Sequence, residues 1–131
     1  MRETLLIVDY NKNLRMLYDL ELSEDGYKIL LAQNEDEATS ILKEGCPDLV
    51  IIDGELLLSK GISPLERIRN FCKRTLIVLN DISYDTCENL LDSLLIDSCL
   101  VKSSDLDQLR WKIKEVLKKN SYPEGIHKRE F

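Results

Sequence analysis

Two aspartates end apolar runs. Asp9 follows Leu5-Leu6-Ile7-Val8, Asp53 follows Leu49-Val50-Ile51-Ile52, and Lys102 closes the shorter run Cys99-Leu100-Val101. Runs this apolar belong in a protein interior, so a charge at the end of one marks where the chain emerges into a crevice. Two carboxylates about 4 Å apart, at an effective dielectric near 20, repel by roughly 4 kcal/mol. A hard divalent cation with oxygen ligands offsets that cost, and the lysine is a second counter-charge. A carboxylate so placed can also act as a nucleophile toward a phosphoryl group.

The elements that must position these residues alternate along the chain. Thr4 to Val8 reads as a buried strand. A helix follows over Asn13 to Asp25, with Leu14, Leu17, Tyr18 and Leu22 at helical spacing and Gly26 as its stop. Tyr27 to Ala32 is a second strand. Asn34 is an N-cap with Glu37 completing a capping box, and that helix carries Ala38, Ile41 and Leu42 to Gly45. Leu49 to Ile52 is the third strand, and Pro64 to Phe71 a helix with proline in its first turn. Thr75 to Leu79 is the fourth strand, and Ser83 caps a helix bearing Cys87, Leu90, Leu91 and Leu94. Cys99 to Val101 is the fifth strand, and Ser104 caps a last helix with Leu106, Leu109, Ile113, Val116 and Leu117 as its stripe.

Short, continuously apolar strands alternating with helices predict an α/β fold: a doubly wound, five-stranded parallel sheet flanked by five helices. In such sheets ligands bind at the carboxyl ends of the strands, at the topological switch point. That is where Asp9, Asp53 and Lys102 fall if their strands are neighbours.

Composition sets the limits. The chain has 131 residues, 44% hydrophobic and 32% charged, as expected of one globular domain. A net charge of −6 argues against direct binding of nucleic acid. No run is long enough to span a membrane and no secretory signal opens the chain, so a cytoplasmic location is expected. Cys46, Cys72, Cys87 and Cys99 include no CxxC pair, and His127 is the single histidine. Four reduced cysteines are the reading, without a metal-ligand set. Residues 1–119 are expected to form the domain, and the polar stretch 120–131 a tail or the start of a linker.

With these residues in place, the sequence resembles the receiver domains of bacterial two-component response regulators. The resemblance rests on Asp9 in LLIVDYNKNLR, Asp53 in CPDLVIIDGELL, Gly61, and Lys102 in CLVKSSDLDQL, and covers about residues 3–118. It implies a flavodoxin-like topology and a phosphoacceptor at Asp53, loaded by a histidine kinase or phosphotransfer protein. It also implies Mg2+ at Asp9 and Asp53 and a phosphoryl contact from Lys102. Enzymatic activity would be at most Mg-dependent self-phosphotransfer and autodephosphorylation. Output would pass by protein contact to a downstream partner or effector domain. The surface for it would be the helix after Ser83, the strand at Cys99 and the last helix, with a homodimer through that surface as a further expectation.

The sequence departs from the family pattern at several of these positions. Tyr10 stands where a second acid normally supplies a direct metal ligand, so weak Mg2+ binding is expected. Leu57 and Ser103 replace prolines, and Asp81 replaces a small residue. The switch positions, a hydroxyl that moves toward the phosphoryl group and an aromatic ring that turns inward behind it, are Asn80 and Cys99. Asn80 could contact a phosphoryl oxygen through its amide. Glu55 is a surface acid or a replacement metal ligand, through backbone or side chain, and Tyr10 is expected at the rim. Trp111 lies off the buried stripe and is an interface candidate, unless it packs on a loop. The alternative to a working receiver is a pseudo-receiver that binds partners without phosphorylation. A haloacid-type hydrolase would need an acid at Asn11, which the chain lacks.

Overall fold

The computed structural model describes residues 2–101 and 105–120. Lys102, Ser103, Ser104 and the tail 121–131 lie outside the described residues, and with them the expectations placed there. The order is β1 (Thr4–Val8), α1 (Lys12–Glu24), β2 (Lys28–Ala32), α2 (Glu35–Glu44), β3 (Leu49–Asp53), α3 (Glu55–Lys60), α4 (Ser63–Phe71), β4 (Leu76–Ile82), α5 (Tyr84–Asp92), β5 (Ser98–Val101) and α6 (Leu106–Asn120). The strands form one parallel sheet in the order β2-β1-β3-β4-β5. This is the flavodoxin-like, doubly wound topology, with its switch point between β1 and β3.

The period-2 alternation of each strand explains the unbroken apolar runs. Leu6, Val8, Val50 and Ile52 face a layer completed by Leu42, Leu56, Leu65, Ile68 and Leu90. Leu5, Ile7, Leu49 and Ile51 face the opposite layer, completed by Leu22, Leu109, Ile113 and Val116. Both faces of the sheet are thus buried, as parallel sheets require.

Local signals act largely as read. Asn34 Oδ1 accepts the Glu37 N–H at 2.8 Å, and Glu37 reaches back to the Gln33 N–H. Ser83 caps α5 on the Thr86 N–H. At α6 the capping pair is Asp105 with Gln108: each side chain accepts from the other's backbone N–H, at 2.9 and 2.8 Å.

Three expectations are corrected. Six helices, not five, flank the sheet among the described residues, because Glu55–Lys60 forms the short α3. Gly61 ends α3 with φ 66°, a backbone region that favours glycine. Leu14, Leu17, Leu91 and Leu94 are exposed, since their positions on α1 and around α5 lie past the edge of the sheet-facing stripe. The cysteines are paired: the fold brings Cys46 onto Cys72 at the end of α4, with Cα atoms 5.6 Å apart, and Cys87 of α5 onto Cys99 of β5, 6.1 Å apart, each pair joined as a disulfide in this structure. Chain spacing carried no sign of either approach. No described helix is long and apolar enough to cross a membrane.

Candidate functional site

Register fixes the site. Val8 lies opposite Ile52, so the next residues, Asp9 and Asp53, emerge side by side at the carboxyl edge, and Asp53 pairs with Asn80 of β4. Asp9 is 3% exposed and Asp53 8%. With Leu14, Tyr18, Asn80, Asp81 and Val101 they line a cavity of about 200 Å³. At about 30 Å³ per water, this is room for roughly six or seven waters.

Each carboxylate is held by the turn after its strand. Asp9 Oδ1 accepts the Asn11 N–H at 2.9 Å, and Arg15 Nη1 donates to the Asp9 carbonyl at 2.8 Å. Asp53 Oδ1 accepts the Glu55 N–H at 3.3 Å. Gly54 makes the close approach of β3 to β4 that this turn needs. Its N–H donates to the Asn80 carbonyl at 2.7 Å. A Cβ there would overlap the Ile82 side chain and press on the Asp81 and Asn80 carbonyls at 3.1 and 3.2 Å.

Among the described residues, the site is short of positive charge. Burial pushes Asp53 up to about 6; the neighbouring carboxylates of Asp9, Glu55 and Asp81 push the same way, against the Glu55 N–H. Asp9 is also raised, by burial first, with the Asn11 N–H and Arg15 opposing. No ion pair engages either carboxylate among the described residues. This donor set fits a divalent cation bound through one or two carboxylates and otherwise by water. No cluster of three or more His, Cys, Asp or Glu side chains able to hold a metal occurs among the described residues.

The other singled-out residues divide. Glu55 accepts a hydrogen bond from the Tyr10 hydroxyl at 2.5 Å, so both sit at the rim, with Tyr10 58% exposed. Asn80 reaches the site, and its Nδ2 donates to the Tyr18 hydroxyl at 3.2 Å. Cys99 is beside the site's strands but bonded to Cys87. Trp111 is remote and 62% exposed, with the Lys112 ammonium 5.6 Å from its ring centroid. Lys102 lies outside the described residues. Three contributors escaped the sequence reading as site residues: Arg15, Tyr18 and Gly54. The one signal for Tyr18 was a polar tip on an otherwise aliphatic stripe.

Residues 5–114 match the family model described as the response regulator receiver domain. The chain belongs to the response regulator receiver domain family. It is 31% identical over 120 residues to the autoinducer 1 sensor kinase/phosphatase LuxN of Vibrio campbellii, covering 90% of this chain and 14% of that protein. Among solved structures, the Thermotoga maritima response regulator TrrA in complex with Mg2+-BeF shares 38% identity at a TM-score of 0.70, covering 88% of this chain and 99% of that one. The receiver domain of Saccharomyces cerevisiae Ssk1, solved with the histidine phosphotransfer protein Ypd1, shares 25% at a TM-score of 0.79, covering 95% and 94%. Receiver domains bind Mg2+ and interact with histidine kinases or phosphotransfer proteins, and this chain has their fold.

Proposed function

We propose that this receiver domain takes a phosphoryl group on Asp53 from a phosphohistidine of a kinase or phosphotransfer protein. An Asp53 oxygen attacks phosphorus, the acyl phosphate bond forms, the P–N bond breaks, and the imidazole leaves and takes up a proton. The observation that carries this reading is Asp53 itself: buried at a strand end beside Asp9, facing a cavity, and held at about 6. At pH 7 such a group is about nine-tenths ionised, and so available as a nucleophile.

Phosphoryl transfer asks a protein for positioning and charge more than for covalent chemistry. Asp9 and Asp53 would hold Mg2+, which would supply positive charge against the phosphoryl oxygens. Tyr10 supplies no carboxylate at the rim, so the proposal includes weak metal binding. The cognate kinase-type donor, a cytoplasmic setting and output through α5, β5 and α6, with Trp111 as an anchor, belong to the same proposal. In a reducing compartment the two cysteine pairs would exist as thiols. The relatives TrrA and Ssk1 support this reading through what their structures contain, Mg2+-BeF and a phosphotransfer partner.

Intact mass after incubation with acetyl phosphate and Mg2+ tests it. Wild type should gain one phosphoryl group and Asp53→Asn none. No gain in wild type at saturating donor would leave the phosphorylation-independent interaction module in its place.

A further inference from the structure

Asn80 is the amide that faces Asp53 across the β3–β4 register, and its own side chain has two rotatable bonds. What fixes it comes from another element. Tyr18, on the second turn of α1, extends a half-buried ring across the pocket, and its hydroxyl accepts from Asn80 Nδ2 at 3.2 Å over a chain separation of 62 residues. Both residues line the cavity that Asp53 faces, and the tyrosine hydroxyl feels the Asp9, Asp53 and Asp81 carboxylates.

An amide carries two N–H donors and one acceptor. Spending one N–H on Tyr18 leaves the other N–H and the carbonyl oxygen in a defined orientation. We propose that Tyr18 is a positioning residue of the phosphoryl site: it orients the Asn80 amide so that its remaining N–H is directed at a phosphoryl oxygen on Asp53. This rests on Asp53 being the phosphoacceptor. The gain is pre-organisation, since a free asparagine would lose side-chain freedom when the phosphoryl group arrives. Phenylalanine would fill the same space on α1 without holding the amide.

Beryllofluoride with Mg2+, a phosphoryl mimic, is the probe, titrated calorimetrically into wild type, Tyr18→Phe, Asn80→Ala and the double variant. Tyr18→Phe should weaken binding threefold to tenfold, the worth of about one hydrogen bond, with a melting temperature close to wild type. The same substitution in the Asn80→Ala background should change affinity little, because the residue it acts through is gone. The free protein gives a second readout. The Asn80 side-chain amide protons should resonate at distinct, slowly exchanging positions in wild type and converge toward solvent-like values in Tyr18→Phe. Equal affinity of wild type and Tyr18→Phe would overturn the proposal, as would an equal loss in both backgrounds, which would mean a direct contact. Failure of wild type itself to bind beryllofluoride would overturn the phosphoacceptor reading, and this inference with it.

Discussion

The Tyr10 hydroxyl donates to the Glu55 carboxylate at 2.5 Å and ties the loop after β1 to the first turn of α3, at the mouth of the acidic cavity. Two consequences meet in this pair. The position that could supply a second carboxylate beside Asp9 supplies a phenol, and the nearest rim acid is already engaged. Fewer charged ligands weaken a divalent site, by about 1–3 kcal/mol for one carboxylate, or roughly tenfold to a hundredfold. Tyr10→Asp should raise Mg2+ affinity by that factor in a calorimetric titration. Tyr10→Phe, which frees Glu55 without adding a charge, should raise it by much less. Equal affinities in all three proteins would mean that the rim contributes nothing to the metal.

Asp53 gives a pH dependence of definite sign. Burial in the folded chain pushes its carboxyl up to about 6, from 3.8 for the free side chain. Between those values the unfolded chain has released a proton that the folded chain still holds. Stability therefore falls as pH rises from about 4 to about 6, then levels off. The full gap corresponds to roughly 3 kcal/mol at 1.36 kcal/mol per unit, an upper figure because Asp9 titrates in the same field. Asp53→Asn should flatten the slope and be more stable than wild type at pH 7 with EDTA present. Urea unfolding at pH 4.5 and 7.5 measures this. A variant with the wild-type pH slope would show that Asp53 is not the strained group.

Much of this site was legible because it lies where periodicity speaks loudest. An apolar run ending on aspartate at a strand end, twice, places two carboxylates at one sheet edge if the two strands are neighbours, and the strand order makes them so. Contacts that depend on tertiary approach were not legible. Tyr18 sits in register with Leu22 as a stripe residue, and only the fold shows its hydroxyl reaching Asn80. The short α3 has no side-chain cap and six residues, so its leucines read as a continued apolar run. The cysteine pairs join segments whose spacing carries no signal.

Gly54 is required by contact, not by a left-handed backbone. A methyl group there meets the Ile82 side chain and two carbonyls that belong to β4 and cannot swing aside. Overpacking of this kind costs roughly 1–3 kcal/mol. Gly54→Ala should lower the melting temperature by several degrees in calorimetry and weaken Mg2+ binding, since the same turn carries the Glu55 N–H that holds Asp53. A melting point within 1 °C of wild type would show that the two turns separate without cost.

The Cys46–Cys72 bridge spans a sequence separation of 26 residues. Closing a loop of that length in the unfolded chain is worth about 3.5 kcal/mol in the chain-entropy model. Oxidised protein should therefore melt roughly 10 °C above protein treated with dithiothreitol. Cys46→Ser should lose the share of that difference due to Cys46–Cys72, and reductant should then lower its melting temperature only by what the Cys87–Cys99 bond contributes. If reduction leaves the melting temperature unchanged and alkylation finds four thiols beforehand, the pairs exist as thiols in solution.

Under the proposed reading, signal output is where this chain departs furthest from its family. The position whose hydroxyl would move toward the phosphoryl group is Asn80, already held by Tyr18 of α1. The position whose ring would turn inward is Cys99, which has no ring and is bonded to Cys87 of α5. A ligand shifts an equilibrium only by its differential affinity for the two states. Neither part that would read the phosphoryl group can follow the family's path, so phosphorylation should bias α5 and β5 little. The added charge, or a fixed surface, would then carry the signal. Backbone amide shifts with and without beryllofluoride measure this, in oxidised and in reduced protein. Changes confined to the surroundings of Asp9, Tyr18, Asp53 and Asn80 are expected in both. Large shifts running from Tyr84 to Val101 in both forms would show that another side chain has taken over the switch. Shifts there only after reduction would show that the Cys87–Cys99 bond was what held the surface still.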